Sequence, residues 1–140
     1  MPDINLTKKQ TEAWKILFDD KTNELLYGGS AGSGKSFIGC LWITTLALKY
    51  PETRFLIGRT VLQQLKSTTL KTLFETFAVM NLKNGDHYSY NGQSNSIQFY
   101  NKSEIILKDL AQQPSDPNFD SLGGLELTAV FVLLHPQILL

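Results

Sequence analysis

The stretch LLYGGSAGSGKSFIG, Leu25 to Gly39, reads as a short apolar strand that enters a glycine-rich loop and leaves it as a helix. Gly29, Ser30, Ala31, Gly32, Ser33, Gly34, Lys35 and Ser36 fit G-x-x-x-x-G-K-[ST] at every position. Chance produces such a match in roughly one chain in two hundred of this length. Small residues let successive backbone N–H groups turn inward on phosphate oxygens, and the N-terminus of the following helix adds partial positive charge. In that arrangement Lys35 reaches the β- and γ-phosphates and Ser36 offers its hydroxyl to Mg²⁺, so ATP and Mg²⁺ are the expected ligands. The competing reading is a glycine-rich turn with a surface lysine.

Outward from this loop the pattern is that of an α/β protein. Thr7 to Phe18 places Ala13, Trp14, Leu17 and Phe18 at helical spacing behind a T-x-x-Q capping box formed by Thr7 and Gln10. Glu24 to Tyr27 is the strand before the loop, and KSFIGCLWITTLALKY after it predicts a mostly apolar helix that ends before Pro51. Arg54 to Gly58 is a second buried-strand candidate, followed by helical spacing in VLQQLKSTTLKTLFETFAVM, which completes the β-α-β-α start of a parallel sheet. His87 to Leu110 then alternates polar and apolar residues around Asn-Gly and Asn-Lys-Ser turn candidates, predicting strands and hairpins. Gln112 to Gly124 reads as a loop. Thr128 to Leu134 has the pattern of a parallel strand buried on both faces.

The chain of 140 residues matches one domain, and its 42% hydrophobic and 19% charged residues are the balance of a globular protein. Thirteen basic and thirteen acidic residues give zero formal charge, so no global field draws the chain to nucleic acid or to an anionic membrane. The single cysteine, Cys40, has no partner for an internal disulfide. No window approaches a membrane span and the N-terminus has no apolar targeting region, so the expected location is the cytoplasm.

The carboxylate that such a loop normally works with is the missing element. In hydrolases of this type an apolar strand ends in an Asp for Mg²⁺ and a Glu that polarises the attacking water. Here TAVFV is followed by Leu133 and Leu134, and neither can hold a metal or accept a proton. Asp109, at the end of EIILKD, is the substitute candidate, read otherwise as an ordinary strand end. Asp120, Glu126 and His135 rank below it. Arg59 follows the second strand where parallel sheets gather their ligand-binding groups, and it could face the phosphates or organise the adjoining loop; the favoured reading is a solvated arginine that caps the strand end. Gln10 has two open readings, an amide that meets the adenine edge or the N3 partner of its capping box.

With these segments on the page, the chain resembles the N-terminal ATPase domain of phage terminase large subunits. LTKKQ looks like the family's adenine-side segment and YGGSAGSGKS like its Walker A loop. RFLIGRTVLQQLKSTTLKTLFE looks like its second strand, Arg and long helix, and SEIILKDLAQQPSDPNFDSLGGLELTAVFV like the run into its Walker B strand. The resemblance implies an additional-strand, RecA-like P-loop fold with a parallel-rich sheet flanked by helices. It also implies ATP and Mg²⁺ as ligands, and double-stranded DNA, a portal protein and a small terminase subunit as partners of a full-length protein in the host cytoplasm. By the same comparison Gly29, Gly34, Lys35 and Ser36 carry over as phosphate and metal binders, with Gln10 and Arg59 beside them.

The departure is at Leu133 and Leu134, where the family has Asp-Glu or Glu-Glu and a long continuation that includes a nuclease domain. The expectation is a partial P-loop domain over residues 1–140, incomplete at its C-terminus, truncated or frame-shifted, that binds ATP with little hydrolysis and self-associates through an unfinished sheet. A helicase- or recombinase-like ATPase and a non-catalytic remnant are the alternatives.

Overall fold

The structure is a computed structural model that describes residues 4–19, 21, 25, 35–59, 68–109 and 126–133, with Lys35 and Asp109 described through their backbone only. The expected strand at Glu24–Tyr27, the loop Gly29–Gly34 and the long loop Gln112–Gly124 fall outside the described residues, apart from Leu25.

Helix α1 spans Lys8–Leu17. Its first turn is closed by the capping box the sequence announces: Gln10 N–H donates to Thr7 Oγ1 at 3.1 Å, and Thr7 N–H donates to Gln10 Oε1 at 2.9 Å. Helix α2 spans Lys35–Lys49, strand β1 Arg54–Arg59 and helix α3 Leu70–Val79. Strands β2 (Tyr88–Asn91), β3 (Ser96–Phe99), β4 (Glu104–Asp109) and β5 (Ala129–Leu133) follow.

The sheet runs β2-β3-β4-β1-β5. Its β4, β1 and β5 are parallel, and β2 and β3 join antiparallel at one side as the hairpin alternation predicts. The β2–β3 connection is tied by Asn91, whose Oδ1 accepts from the N–H groups of Gln93 (2.9 Å) and Ser94 (3.2 Å).

Helices α2 and α3 pack on one face of this sheet. Cys40, Ile43 and Ala47 of α2 and Leu70, Leu73 and Phe77 of α3 meet Phe55, Ile57, Ile97, Phe99, Ile105 and Leu107 in one core. A satellite of Phe74, Phe77, Tyr88, Tyr90 and Phe99 rings extends it under the antiparallel strands.

Among the described residues the helices that pack on the sheet share a single face. One expectation changes. Strand β5 is not buried on both faces: its apolar run presents Phe131 toward α2 but leaves Val130 43% and Val132 41% exposed. β1, with Phe55 to Gly58 all buried, is the strand covered on both sides. An apolar β-branched run looks the same in either position, because the pattern records the residue types and not which neighbours cover them.

The C-terminal end of α2 is clamped by the β3–β4 turn. Asn101 Nδ2 donates to the carbonyls of Ala47 (2.8 Å) and Leu48 (3.3 Å). The buried Ser103 hydroxyl lies 2.7 Å from the same Ala47 oxygen and 2.6 Å from Asn101 Oδ1, its one proton shared between them. These contacts satisfy carbonyls that a helix end leaves without intrahelical partners. Replacing Asn101 by Ala removes both donors and the acceptor that holds Ser103, so the unfolding free energy should fall by about 2 kcal/mol. Urea denaturation, with an unchanged slope and a lower midpoint, checks this.

Burial pushes the Cys40 thiol from its ordinary value of 9.0 up to about 12, so the folded state keeps the proton where the unfolded chain loses it. The resulting contribution is fully present below pH 9 and is lost as pH rises toward 12. Cys40 should resist an aromatic disulfide reagent at pH 8 in the native chain and react fully in urea, as read by thiolate release at visible wavelengths.

Candidate functional site

Where α2 lies follows from two contacts at its opposite ends. Its last turn is bonded to Asn101 and Ser103, beside the start of β4. Its first turns lie on β5, where Gly39 meets the ring of Phe131 so closely that a Cβ there would overlap Cζ, Cε1 and Cε2. The helix therefore crosses the parallel strands diagonally and antiparallel to them. Ser36 is three residues before Gly39, about 4.5 Å along the helix. Leu133 is two residues after Phe131, about 6.6 Å along the strand and in the same direction. The N-terminus of α2 thus comes level with the C-terminal end of β5, the edge at which open parallel sheets bind ligands.

Three strand ends share this edge. Arg59 pairs in register with Asp109 of β4 on one side and with Leu133 of β5 on the other. The place beside the N-terminus of α2 is occupied by Leu133, buried to 5% exposure, which supplies neither charge nor lone pair. Asp109 stands two strand spacings away, roughly 9–10 Å, across β1. The structure brings Ser36 level with this edge and puts Asp109 on the same edge but off to one side. Among the described residues no three His, Cys, Asp or Glu side chains gather in a metal-binding group.

Arg59 is engaged locally. Its Nη1 donates to Thr68 Oγ1 at 2.7 Å and to Thr69 Oγ1 at 3.3 Å, tying the end of β1 to the start of α3. The favoured reading, a solvated arginine at a strand end, is corrected: the guanidinium is bonded to two threonine hydroxyls, which matches the reading in which it organises the adjoining segment. Its Nε is buried without a hydrogen-bond partner, so part of the guanidinium's donor capacity is unused. Gln10 is 5% exposed with Oε1 committed to the capping box, the second of its two readings. The residues Gly29, Ser30, Ala31, Gly32, Ser33 and Gly34 lie outside the described set, as do Asp120 and His135, while Glu126 is exposed near the start of β5.

A concavity of about 310 Å³ lies at the opposite edge, between the starts of β1, β4 and β5. Glu52, Glu104 and Glu126 line it with Arg54 and Lys102, and the Arg54 Nε–Glu104 Oε1 pair at 2.6 Å spans part of it. Mixed charge with an acidic excess is the wrong lining for a polyphosphate. Sequence reading did not find the Gly39–Phe131 contact; the signal available was a glycine inside a helical apolar run.

No protein-family model matches the chain, and no curated protein matches it in sequence. Among solved structures it is similar to the large terminase of a thermophilic bacteriophage, with a TM-score of 0.62 and 17% identity, over 91% of this chain and 31% of that one. The chain therefore spans about a third of that protein's length and has a terminase-like fold.

If the Arg59–threonine tether is what joins β1 to α3, a double-mutant cycle of Arg59→Leu with Thr68→Val should show a coupling on the order of 1 kcal/mol in urea unfolding. Additive effects would leave the tether without energetic weight.

Proposed function

We propose that the chain is the ATP-binding portion of a terminase-type DNA-packaging motor, a P-loop domain of the additional-strand type that holds ATP with Mg²⁺ through Gly29 to Ser36. One observation carries this reading: the helix that begins at Lys35–Ser36 has its N-terminus level with the C-terminal end of a parallel strand. Backbone N–H groups and the helix macrodipole favour an anion at that point. The similarity in fold to a large terminase supports the motor, over a helicase- or recombinase-like ATPase, as the setting. Double-stranded DNA, a portal protein and a small terminase subunit are then the proposed partners of the whole assembly.

In this reading Lys35 neutralises the β- and γ-phosphates and Ser36 supplies one oxygen to Mg²⁺. Ser36 would hold the metal, whose positive charge would offset negative charge on the phosphates. The protein's contribution to hydrolysis is weak at one definite place. Leu133 fills the strand end where an acid would orient the metal's water, and Leu134 follows it. Binding therefore survives, while the positioning and electrostatic contributions to turnover are lost.

The test is equilibrium binding of a fluorescent Mg-ATP analogue to the full chain and to Lys35→Ala, with folding followed by circular dichroism. Loss of a charge-assisted contact should weaken binding ~10- to 100-fold. Equal affinities in two folded proteins would remove the reading.

A further inference from the structure

Resting on the nucleotide-binding reading, we infer that Gly39 and Phe131 are a matched pair of positioning residues that set the height of the α2 N-terminus against β5, and with it the affinity for nucleotide. Gly39 sits one turn into α2, three residues after Ser36, and the Phe131 ring occupies the space where any side chain at position 39 would begin. Gly in a helix interior costs roughly 0.5–1 kcal/mol relative to Ala, so helical propensity alone disfavours it here. What it permits is a backbone-to-ring approach that no other residue allows.

The contact lies close to the proposed phosphate site and is far from the clamp at the other end of α2. Phe131 extends from β5 two residues before Leu133, facing the helix, and packs against the core that holds Ile43 and Ile57. Its Cζ points at the Gly39 backbone, so the ring length sets the helix–strand spacing at that level. The far end of α2 is bonded to Asn101 and Ser103 and cannot follow freely. A side chain at position 39 therefore tilts the helix about its clamped end and lifts Lys35 and Ser36 away from the strand edge. Displacements of about 1 Å at a polyphosphate site are enough to change its function by orders of magnitude.

The same contact can be loaded from either side. Gly39→Ala adds a methyl beneath the ring, and Phe131→Tyr adds an oxygen at the Cζ that already touches the helix. Phe131→Leu shortens the side chain and makes room, so Gly39→Ala/Phe131→Leu should recover what Gly39→Ala loses. Affinity for the Mg-ATP analogue is measured for these variants at a temperature where circular dichroism shows each to be folded. The expected result is about tenfold weaker binding for Gly39→Ala and for Phe131→Tyr, with the double variant Gly39→Ala/Phe131→Leu within about threefold of the parent chain. If the two loaded variants do not fold but the double variant folds and binds, the matched contact is likewise upheld.

Parental affinity in a folded Gly39→Ala overturns the inference, as does a double variant that neither folds nor binds. A parent chain that binds no better than Lys35→Ala overturns the nucleotide reading itself, and this inference with it. Lys35-dependent binding that is indifferent to Gly39 overturns this inference alone.

Discussion

The diagonal seat of α2 on the sheet is the constraint on which the rest depends. One end is fastened by hydrogen bonds from Asn101 and Ser103 to helix carbonyls, the other by direct contact between the Gly39 backbone and the Phe131 ring. Between them Cys40, Ile43 and Ala47 bury in one core with residues of β1 and β4, which packs the helix along its length. Its N-terminal dipole is delivered to the end of β5 as a result. The proposed binding chemistry is first a matter of where that helix starts.

The sheet edge reached by α2 carries an unequal set of groups. Arg59 is turned to Thr68 and Thr69, Leu133 is apolar and buried, and Asp109 lies across β1 from β5. Under the proposed reading the helix terminus favours a polyphosphate, whereas among the described residues no group that would move a proton or fix a metal's water stands beside it. Binding and turnover would then be separable, the first drawing on α2 and its loop, the second on the residue that ends β5.

Local signals were legible in the sequence to the extent that their physics is local. Thr7 and Gln10 are three residues apart and form the capping box that spacing announces; the strand expected over Arg54 to Gly58 runs one residue further, to Arg59, and Glu104 to Asp109 ends where expected; Asn91 turns the β2–β3 connection. Arg59 showed its place but not its partners, since two threonine hydroxyls nine and ten residues on are unremarkable in a polar helix face. The clamp on α2 joins residues more than fifty positions apart, and no periodicity records it. One-sided exposure of β5 was invisible for a related reason: Val130 and Val132 read as core until the neighbours on each face are known. The Walker-type loop was the strongest motif in the sequence, yet its Gly29 to Gly34 segment is outside the described residues, so its support comes from the helix that follows it.

The most direct measurement of the central claim is phosphate release by the folded chain at saturating Mg-ATP. An end of β5 occupied by Leu133, with the N-terminus of α2 beside it, predicts release no faster than that of the same chain lacking the Lys35 side chain. Steady release that depends on Lys35 would contradict the account, because a carboxylate such as Asp109 would then have to be acting on the bound nucleotide from across β1.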